Sequence, residues 1–366
     1  MKIFDEMKKE NYEQIVLMQD EETGLKGITV IHNTTLGPAL GGTRYWTYDS
    51  EEEAIADAMC LAKGMTYKNA ASGLSLGGGK TVIMKDPDNP VNEEALFRAY
   101  GRFIQGLNGR YITAADVGTH SEIMDYIYQE TPYVVGTTMK PGTSGNPSPT
   151  TAHGVYVGMK AAAKRAFGDN SLNGKIVLLE GAGSVGLTLA EKLLSEGATV
   201  IATDIYDEPK QKAEELGCQV VESNELLNNN ADIYSPCALG ATINDENIEK
   251  LKTAGVKVVA GSANNQLAED KHGDILEEEG IVYAPDYILN AGGVIQVADE
   301  FNGGFDKERA TKQVENIYNQ IEKVFEISDR DNISTHEAAD RFSEERIQAI
   351  QKTKRFFNQS NKSVLG

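Results

Sequence analysis

Apolar positions recur along this chain with two periods, and the alternation between them outlines an α/β protein. Ile28–Ile31 is a short apolar run of the kind that forms a strand. Ser50-x-x-Glu53 has the form of a capping box, and Ile55, Met59 and Ala62 behind it fall on one helical face. Leu96, Tyr100, Phe103 and Leu107 recur at helical spacing and predict a helix from about Asn92 to Leu107. Arg110–Thr113 then predicts a strand that ends near Asp116, and Thr119-x-x-Glu122 predicts the cap of a further helix.

Lys140–Pro149, KPGTSGNPSP, has three prolines and two glycines, which mark a linker or hinge. A long helix from about Thr150 to Phe167 follows. Then come KIVLLE, a helix, TVIATD, a helix, and strands at DIYSP, VKVVA and IVYAP, the alternation of a doubly wound parallel sheet. Two helical stretches close the pattern, the last capped by Ser334-x-x-Glu337. The expected division is a domain over residues 1–139 and a nucleotide-binding domain over 140–333, with the closing helix, 334–366, packed back on the first.

Composition narrows the class. The 366 residues suffice for two domains, and the formal net charge of −20 disfavours nucleic acid and anionic membrane as partners. MKIFDEMKKENYEQ has no apolar core of a signal peptide, and no apolar run has the length of a membrane span. Cys60, Cys218 and Cys237 are odd in number and far apart, which fits unpaired thiols in a reducing cytoplasm. The five histidines form no HxxxH or HExxH pair, so no metal site is expected; His153 reads as packing.

The clearest chemical signal follows the KIVLLE strand. Gly181-Ala182-Gly183-Ser184-Val185-Gly186 is a GxGxxG turn between a strand and a helix. Its glycines permit a tight turn, backbone approach to a pyrophosphate and close helix packing. The next strand ends at Asp204, where an acid accepts hydrogen bonds from the adenine ribose and repels a 2′-phosphate. NAD is the cofactor this predicts.

A second glycine run, GLSLGGGKTVIM from Gly73 to Met84, resembles a P-loop only superficially. The P-loop pattern places a glycine where Leu74 stands and opens a helix, whereas Thr81-Val82-Ile83-Met84 is strand-like. The stretch alone leaves Lys80 either an exposed lysine in a turn or a functional one. Lys68, Lys80 and Asp116 in one domain would suit an amino acid: one lysine for the α-carboxylate, and a second, crowded by the first and desolvated, as a base.

At this point the residues resemble a known family. TTLGPALGGTR, LAKGMTYKNAASGLSLGGGKTVI, GRFIQGLNGRYITAADVGT, SGNPSPTTAHGVYVGMKAA, DIYSPCALGATIND, AGSANNQL and YAPDYILNAGGVIQVADE resemble the amino acid dehydrogenase superfamily that acts on glutamate, leucine, valine and phenylalanine, and most of all its leucine branch. The resemblance implies an α/β fold of two domains. An N-terminal substrate and oligomerisation domain would be separated by a cleft from a Rossmann-type NAD domain.

It also implies residue roles. Lys80 is the expected base, and Asp116 is expected to hold the amino group and shuttle a proton. Lys68 would bind the carboxylate with Asn264. Gly41, Leu40, Met65, Ala114, Val294 and Val297 would line the substrate site. Thr151, Cys237, Ala238 and Asn264 would join Gly181, Gly183, Ser184, Val185, Gly186 and Asp204 around NAD. The glycines before Lys80 are expected to let substrate and cofactor come close. The implied reaction is reversible oxidative deamination of a branched-chain L-amino acid to a 2-oxo acid and ammonium, in a cytoplasmic homo-octamer. Valine, phenylalanine or tryptophan as substrate, a hydroxy-acid dehydrogenase, and a non-catalytic NAD-binding protein are the competing readings.

Overall fold

A computed structural model describes residues 2–353, so residues 354–366 of the expected closing helix lie outside the described residues. The chain divides into two compact units. The first runs to Gly145 and adds Val297–Asp306 and the residues from Ser343; the second takes Asn146–Gln296 and Lys307–Phe342. The division therefore falls at 145/146 rather than 139/140, and a short downstream segment belongs with the first unit.

The first unit contains α1 (Ile3–Glu10), β1 (Gln14–Asp20), β2 (Leu25–Asn33), β3 (Ala39–Trp46), α2 (Glu51–Ala71), β4 (Gly77–Met84), α3 (Glu93–Gly106), β5 (Tyr111–Ala115) and α4 (Ser121–Tyr128). Its sheet has the order β1-β2-β4-β3-β5. β2 lies antiparallel to both β1 and β4, and β3 lies parallel to both β4 and β5.

Strand side chains alternate between two faces, and the two faces have different partners. Ile28, Val30 and Val82 pack on Ala54, Ile55, Ala58, Met59 and Ala62 of α2. Ile31, Tyr45, Ile83 and Tyr111 pack on the other side, against Leu96, Phe97, Tyr100 and Ile104 of α3 and Ile123 and Ile127 of α4. On that second face Thr29, Thr43, Thr81, Thr113 and Tyr100 satisfy one another's buried hydroxyls.

Local signals act largely as chemistry dictates. Ser50 caps α2 by accepting from Glu53 N, and the Glu53 carboxylate reaches back to Asp49 N. Asn92 caps α3. Two expectations fail. Phe103 is exposed, and Ile104 takes the core position instead, because the buried stripe runs Leu96, Phe97, Tyr100, Ile104. Thr119 does not cap α4, whose N-cap is His120. The Thr119 hydroxyl instead accepts from Asp116 N and donates to Thr43 O or Asp116 O, which ties down the turn after β5.

The second unit begins with α5 (Ser148–Phe167), β6 (Ile176–Glu180), α6 (Ser184–Ser195), β7 (Thr199–Thr203), α7 (Asp207–Leu216), β8 (Gln219–Val220) and β9 (Ile233–Pro236). It continues through α8 (Asp245–Thr253), β10 (Val258–Val259), α9 (Lys271–Glu278), β11 (Val282–Tyr283) and α10 (Asp286–Leu289). The last helices are α11 (Gly292–Asp299), α12 (Lys307–Glu315), α13 (Ile317–Asp331) and α14 (Thr335–Thr353). The sheet order is β11-β10-β9-β6-β7-β8, with every pair parallel. That is the doubly wound order, with the topological switch point between β6 and β9.

The far end of α14 returns to α2 within the first unit. Arg346 donates to Ala70 O at 2.7 Å, Ser343 Oγ to Tyr67 O at 3.2 Å, and Tyr67 to the Glu344 carboxylate. These contacts close carbonyls at the C-terminal end of α2. Among the described residues, no helix is long and apolar enough to cross a membrane.

Candidate active site

Lys80 lies inside β4 and not in a turn. It shares its strand face with Val82, so its side chain projects on the α2 side of the sheet. The three glycines before it are each required by packing. A Cβ on Gly78 would stand 2.1 Å from Thr66 N of α2, one on Gly77 2.0 Å from Asn33 O, and one on Gly79 2.9 Å from the Tyr111 ring. The run therefore lets a helix and neighbouring strands close on β4.

The ladder between β3 and β4 pairs Ala39 and Leu40 with Gly77 and Gly78, then resumes at Thr43 with Thr81. Gly41 and Gly42 fall in the interval, beside Gly79 and Lys80. A Cβ on Gly42 would reach within 2.8 Å of Asp116 Cβ, so the absence of a side chain there leaves room for the carboxylate.

Lys80 Nζ stands 2.8 Å from Asp116 Oδ2, with side-chain exposures of 4 % and 25 %. Burial, opposed by Asp116, pushes the Lys80 amine below its ordinary pKa, and the Arg44 guanidinium adds to the lowering. Arg44 is thus a cation beside Lys80 that joins the expected residues. For Asp116 burial is again the largest influence and would raise the pKa. The Lys80 and Arg44 charges outweigh it and hold the carboxyl below the usual range.

The other predicted residues of the first unit lie on the same elements. Lys68 and Met65 are half-buried on α2, and Ala114 is half-buried on β5, paired with Gly42. Leu40 is 1 % exposed, and a Cβ on Gly41 would collide with Gly79 O. Next to Lys68, Asn69 Nδ2 donates to Gly77 O at 2.6 Å, which fastens this end of α2 to β4. Val294 and Val297 are both half-buried on α11, but Val294 belongs to the second unit and Val297 to the first.

In the second unit the predicted cofactor residues flank the switch point. Gly181–Gly186 follow β6, and Cys237 and Ala238 follow β9, with the Gly181 backbone closed against Ala238. Gly186 has no room for a Cβ, which would meet Gly181 O at 2.1 Å. Gly183 is the opposite case. It is the N-cap of α6, no side chain caps that end, and a Cβ there would enter open space. The open backbone N–H groups of Ser184 and Val185 at this helix start fit a pyrophosphate.

Asp204 Oδ2 accepts from Ala182 N at 2.8 Å, so the carboxylate sits at the glycine turn. Asn264 Oδ1 accepts from Asn290 Nδ2 at 2.8 Å, which leaves the Asn264 amide N–H groups outside that bond. Thr151 Oγ1 rests on Pro147 O at the start of α5. His153 stacks on Tyr156, and burial lowers its pKa.

Three functional candidates escaped the sequence reading: Arg44, Asp57 and Asn290. Arg44 lies within the LGGTR stretch, on the same strand face as Leu40 and Gly42, and that parity was its one available signal.

The strand order, the glycine turn and the terminal acid define a dinucleotide-binding α/β protein, and the first unit adds a buried lysine–carboxylate pair. Comparison with known proteins is specific. Residues 12–133 match the Glu/Leu/Phe/Val dehydrogenase dimerisation domain, and residues 203–355 match the Glutamate/Leucine/Phenylalanine/Valine dehydrogenase domain. The chain belongs to this Glu/Leu/Phe/Val dehydrogenase family. It is 60% identical to a leucine dehydrogenase of Thermoactinomyces intermedius, over 100% of this chain and 99% of the relative. A phenylalanine dehydrogenase of Caldalkalibacillus thermarum is 45% identical over 98% and 96%. The solved L-tryptophan dehydrogenase of Nostoc punctiforme superposes with a TM-score of 0.85 at 38% identity, covering 95% of this chain and 99% of that one.

Proposed function

We propose that this chain catalyses the reversible oxidative deamination of branched-chain L-amino acids, leucine foremost, to 2-oxo acids and ammonium. The observation that carries the reading is the buried Lys80–Asp116 pair, 2.8 Å apart, with the lysine's basicity lowered by burial. A lysine whose ammonium form is disfavoured by burial can serve as a general base, and a carboxylate kept ionised beside it can receive an ammonium group.

Bound NAD would supply the hydride acceptor. Gly183, the first turn of α6 and Asp204 would hold it, and the Asp204 carboxylate favours NAD over NADP. Lys68 would pair with the substrate carboxylate, assisted by Asn264. Asp116 would hold the amino group and take its proton. Once the substrate carbon has become an imine, neutral Lys80 would draw a proton from water as the oxygen attacks, and then return it to the leaving ammonia. Leu40, Ala114, Val294 and Val297, assigned to the substrate's side chain, are all apolar. None can pair a second carboxylate, which disfavours glutamate.

The dimerisation domain in the first unit indicates an oligomer, and we propose an octamer in the cytoplasm. The test of function is NADH oxidation with ammonium and a panel of 2-oxo acids. The 2-oxo acid of leucine should give the highest kcat/KM. Faster turnover of phenylpyruvate would move the assignment to the phenylalanine branch, and activity independent of ammonium would refute it.

A further inference from the structure

Asp116 Oδ2 meets two cations at once. Lys80 Nζ lies 2.8 Å away and Arg44 Nε 3.1 Å away. The far end of the same guanidinium is held in turn: Arg44 Nη1 stands 3.0 Å from Asp57 Oδ2 on α2, and Tyr48 donates its hydroxyl to that oxygen at 2.6 Å. Among the described residues, Asp116 Oδ1 makes no hydrogen bond. The chain Tyr48–Asp57–Arg44–Asp116–Lys80 thus runs from the start of α2 to the proposed base.

Resting on the functional reading above, we propose that Arg44 is a positioning residue, which holds Asp116 by Oδ2 while Lys80 loses and regains its proton and leaves Oδ1 for the substrate's amino group.

The argument is one of charge balance. A base must be neutral to act. If Lys80 alone faced Asp116, each deprotonation would leave a partly buried carboxylate unpaired, and the carboxylate would hold the lysine proton in place. Arginine stays charged at every working pH, and its planar fork spans two carboxylates at once. Arg44 therefore keeps Asp116 paired throughout the cycle, and its charge opposes protonation of Lys80. Asp57 acts in the opposite sense on Lys80, because a carboxylate favours the ammonium form. The groups facing Asp116 and Lys80 are Arg44 from β3, Asp57 from α2 and Tyr48 just before that helix. Farther along α2 stand Lys63, paired with Glu10, and Lys68.

The experiment compares Arg44→Gln, Arg44→Lys and Asp57→Asn by two readouts. One is the acid limb of the kcat–pH profile for oxidative deamination. The other is the pH midpoint for acetylation of Lys80 by acetic anhydride in cofactor-free protein, read by mass spectrometry of the Lys80 peptide. Neutral Lys80 is the reactive form in both. Arg44→Gln should move both midpoints to higher pH by about one unit, the scale of one neighbouring charge. Asp57→Asn should move them to lower pH. Arg44→Lys should restore the midpoint more than the rate, because lysine keeps the charge and loses the fork.

Both Arg44→Gln and Asp57→Asn break the same ion pair, so a merely structural role would move the midpoints in one direction or not at all, and either result overturns the proposal. Should Arg44→Gln not fold, the signs of the other two variants decide. Failure of the functional reading is separate: the unaltered enzyme would lack ammonium-dependent activity, while Lys80 labelling would still be measurable.

Discussion

Replacing Gly78 with alanine should damage both the first unit and its substrate affinity. The new methyl would stand 2.1 Å from Thr66 N, 2.3 Å from Thr66 Oγ1 and 2.4 Å from Thr66 Cα. Nonbonded heavy atoms rest about 3.5 Å apart, so α2 and β4 must separate by more than about 1 Å. Backbone lies on both sides, and no side-chain rotation can relieve the contact. A shift of that size stretches the Asn69–Gly77 bond from 2.6 Å and the Thr66–His32 bond from 2.7 Å beyond useful length. Overpacking costs about 1–3 kcal/mol, and two weakened hydrogen bonds add about 1 kcal/mol each. The expected loss is about 3–5 kcal/mol. Lys68 lies two residues past Thr66, so KM for the amino acid should rise as well. Gly79→Ala is the control. Its methyl meets Val30 O at 2.8 Å and the Tyr111 ring at 2.9 Å, so displacements of about 0.6–0.7 Å relieve the contacts, about half of what Gly78 requires. Scanning calorimetry and steady-state kinetics on both variants measure the difference. Gly78→Ala with an unchanged unfolding temperature and KM, or Gly79→Ala as the more damaging of the two, would refute the packing account of this glycine run.

Lys80→Ala should lower kcat by about 10²–10⁴-fold, the usual contribution of a general base, while NAD binding by titration stays intact; near-normal turnover would remove the lysine from the chemistry. Lys68→Ala should weaken amino acid and oxo acid binding by about 2–5 kcal/mol, read as KM, with a smaller effect on kcat. Asp204→Asn should narrow the preference for NAD, and equal kcat/KM for NAD and NADP in the unaltered enzyme would contradict the role of that carboxylate. The acid limb of oxidative deamination should reflect the lowered Lys80 amine: activity requires the neutral form, so it falls as pH drops through that pKa, and in the Lys80→Ala variant this limb should vanish from residual turnover.

The nucleotide-binding unit was largely legible in the sequence because its signals are local. Strand, glycine turn, helix and terminal acid follow one another between Lys175 and Asp204, and their order already implies the fold. The first unit hid more, because its site forms where strands distant in sequence become neighbours. β3 pairs with β4 and β5 in a mixed sheet, and only that pairing brings Arg44 to Asp116, 72 residues away. The reason for glycine at position 78 lies in Thr66 of α2, which no inspection of the glycine run could disclose. Thr119-x-x-Glu122 matched a capping pattern, yet the hydroxyl had better partners in the turn that carries Asp116. Phe103 failed for a simpler cause: several apolar residues share the helix, and the period alone did not decide which stripe would be buried.

The closure of α2 by Arg346 has a consequence for how the molecule is made. Ala70 O accepts from Gly73 N close by and gains its second donor, Arg346, 276 residues further along the chain. At about 5–20 residues per second of synthesis, that is a delay of about 14–55 s after α2 leaves the ribosome. Throughout this interval the end of α2 has only its local caps, from Ser72 N, Gly73 N and Leu74 N, although the sheet beneath it can already be complete. A nascent chain arrested before Arg346 would therefore carry a formed Lys80–Asp116 pair beside an α2 that lacks its long-range contacts. The long-range closure of α2 would arrive as a late event in the life of each new chain, well after the fold around Lys80 and Asp116 has settled.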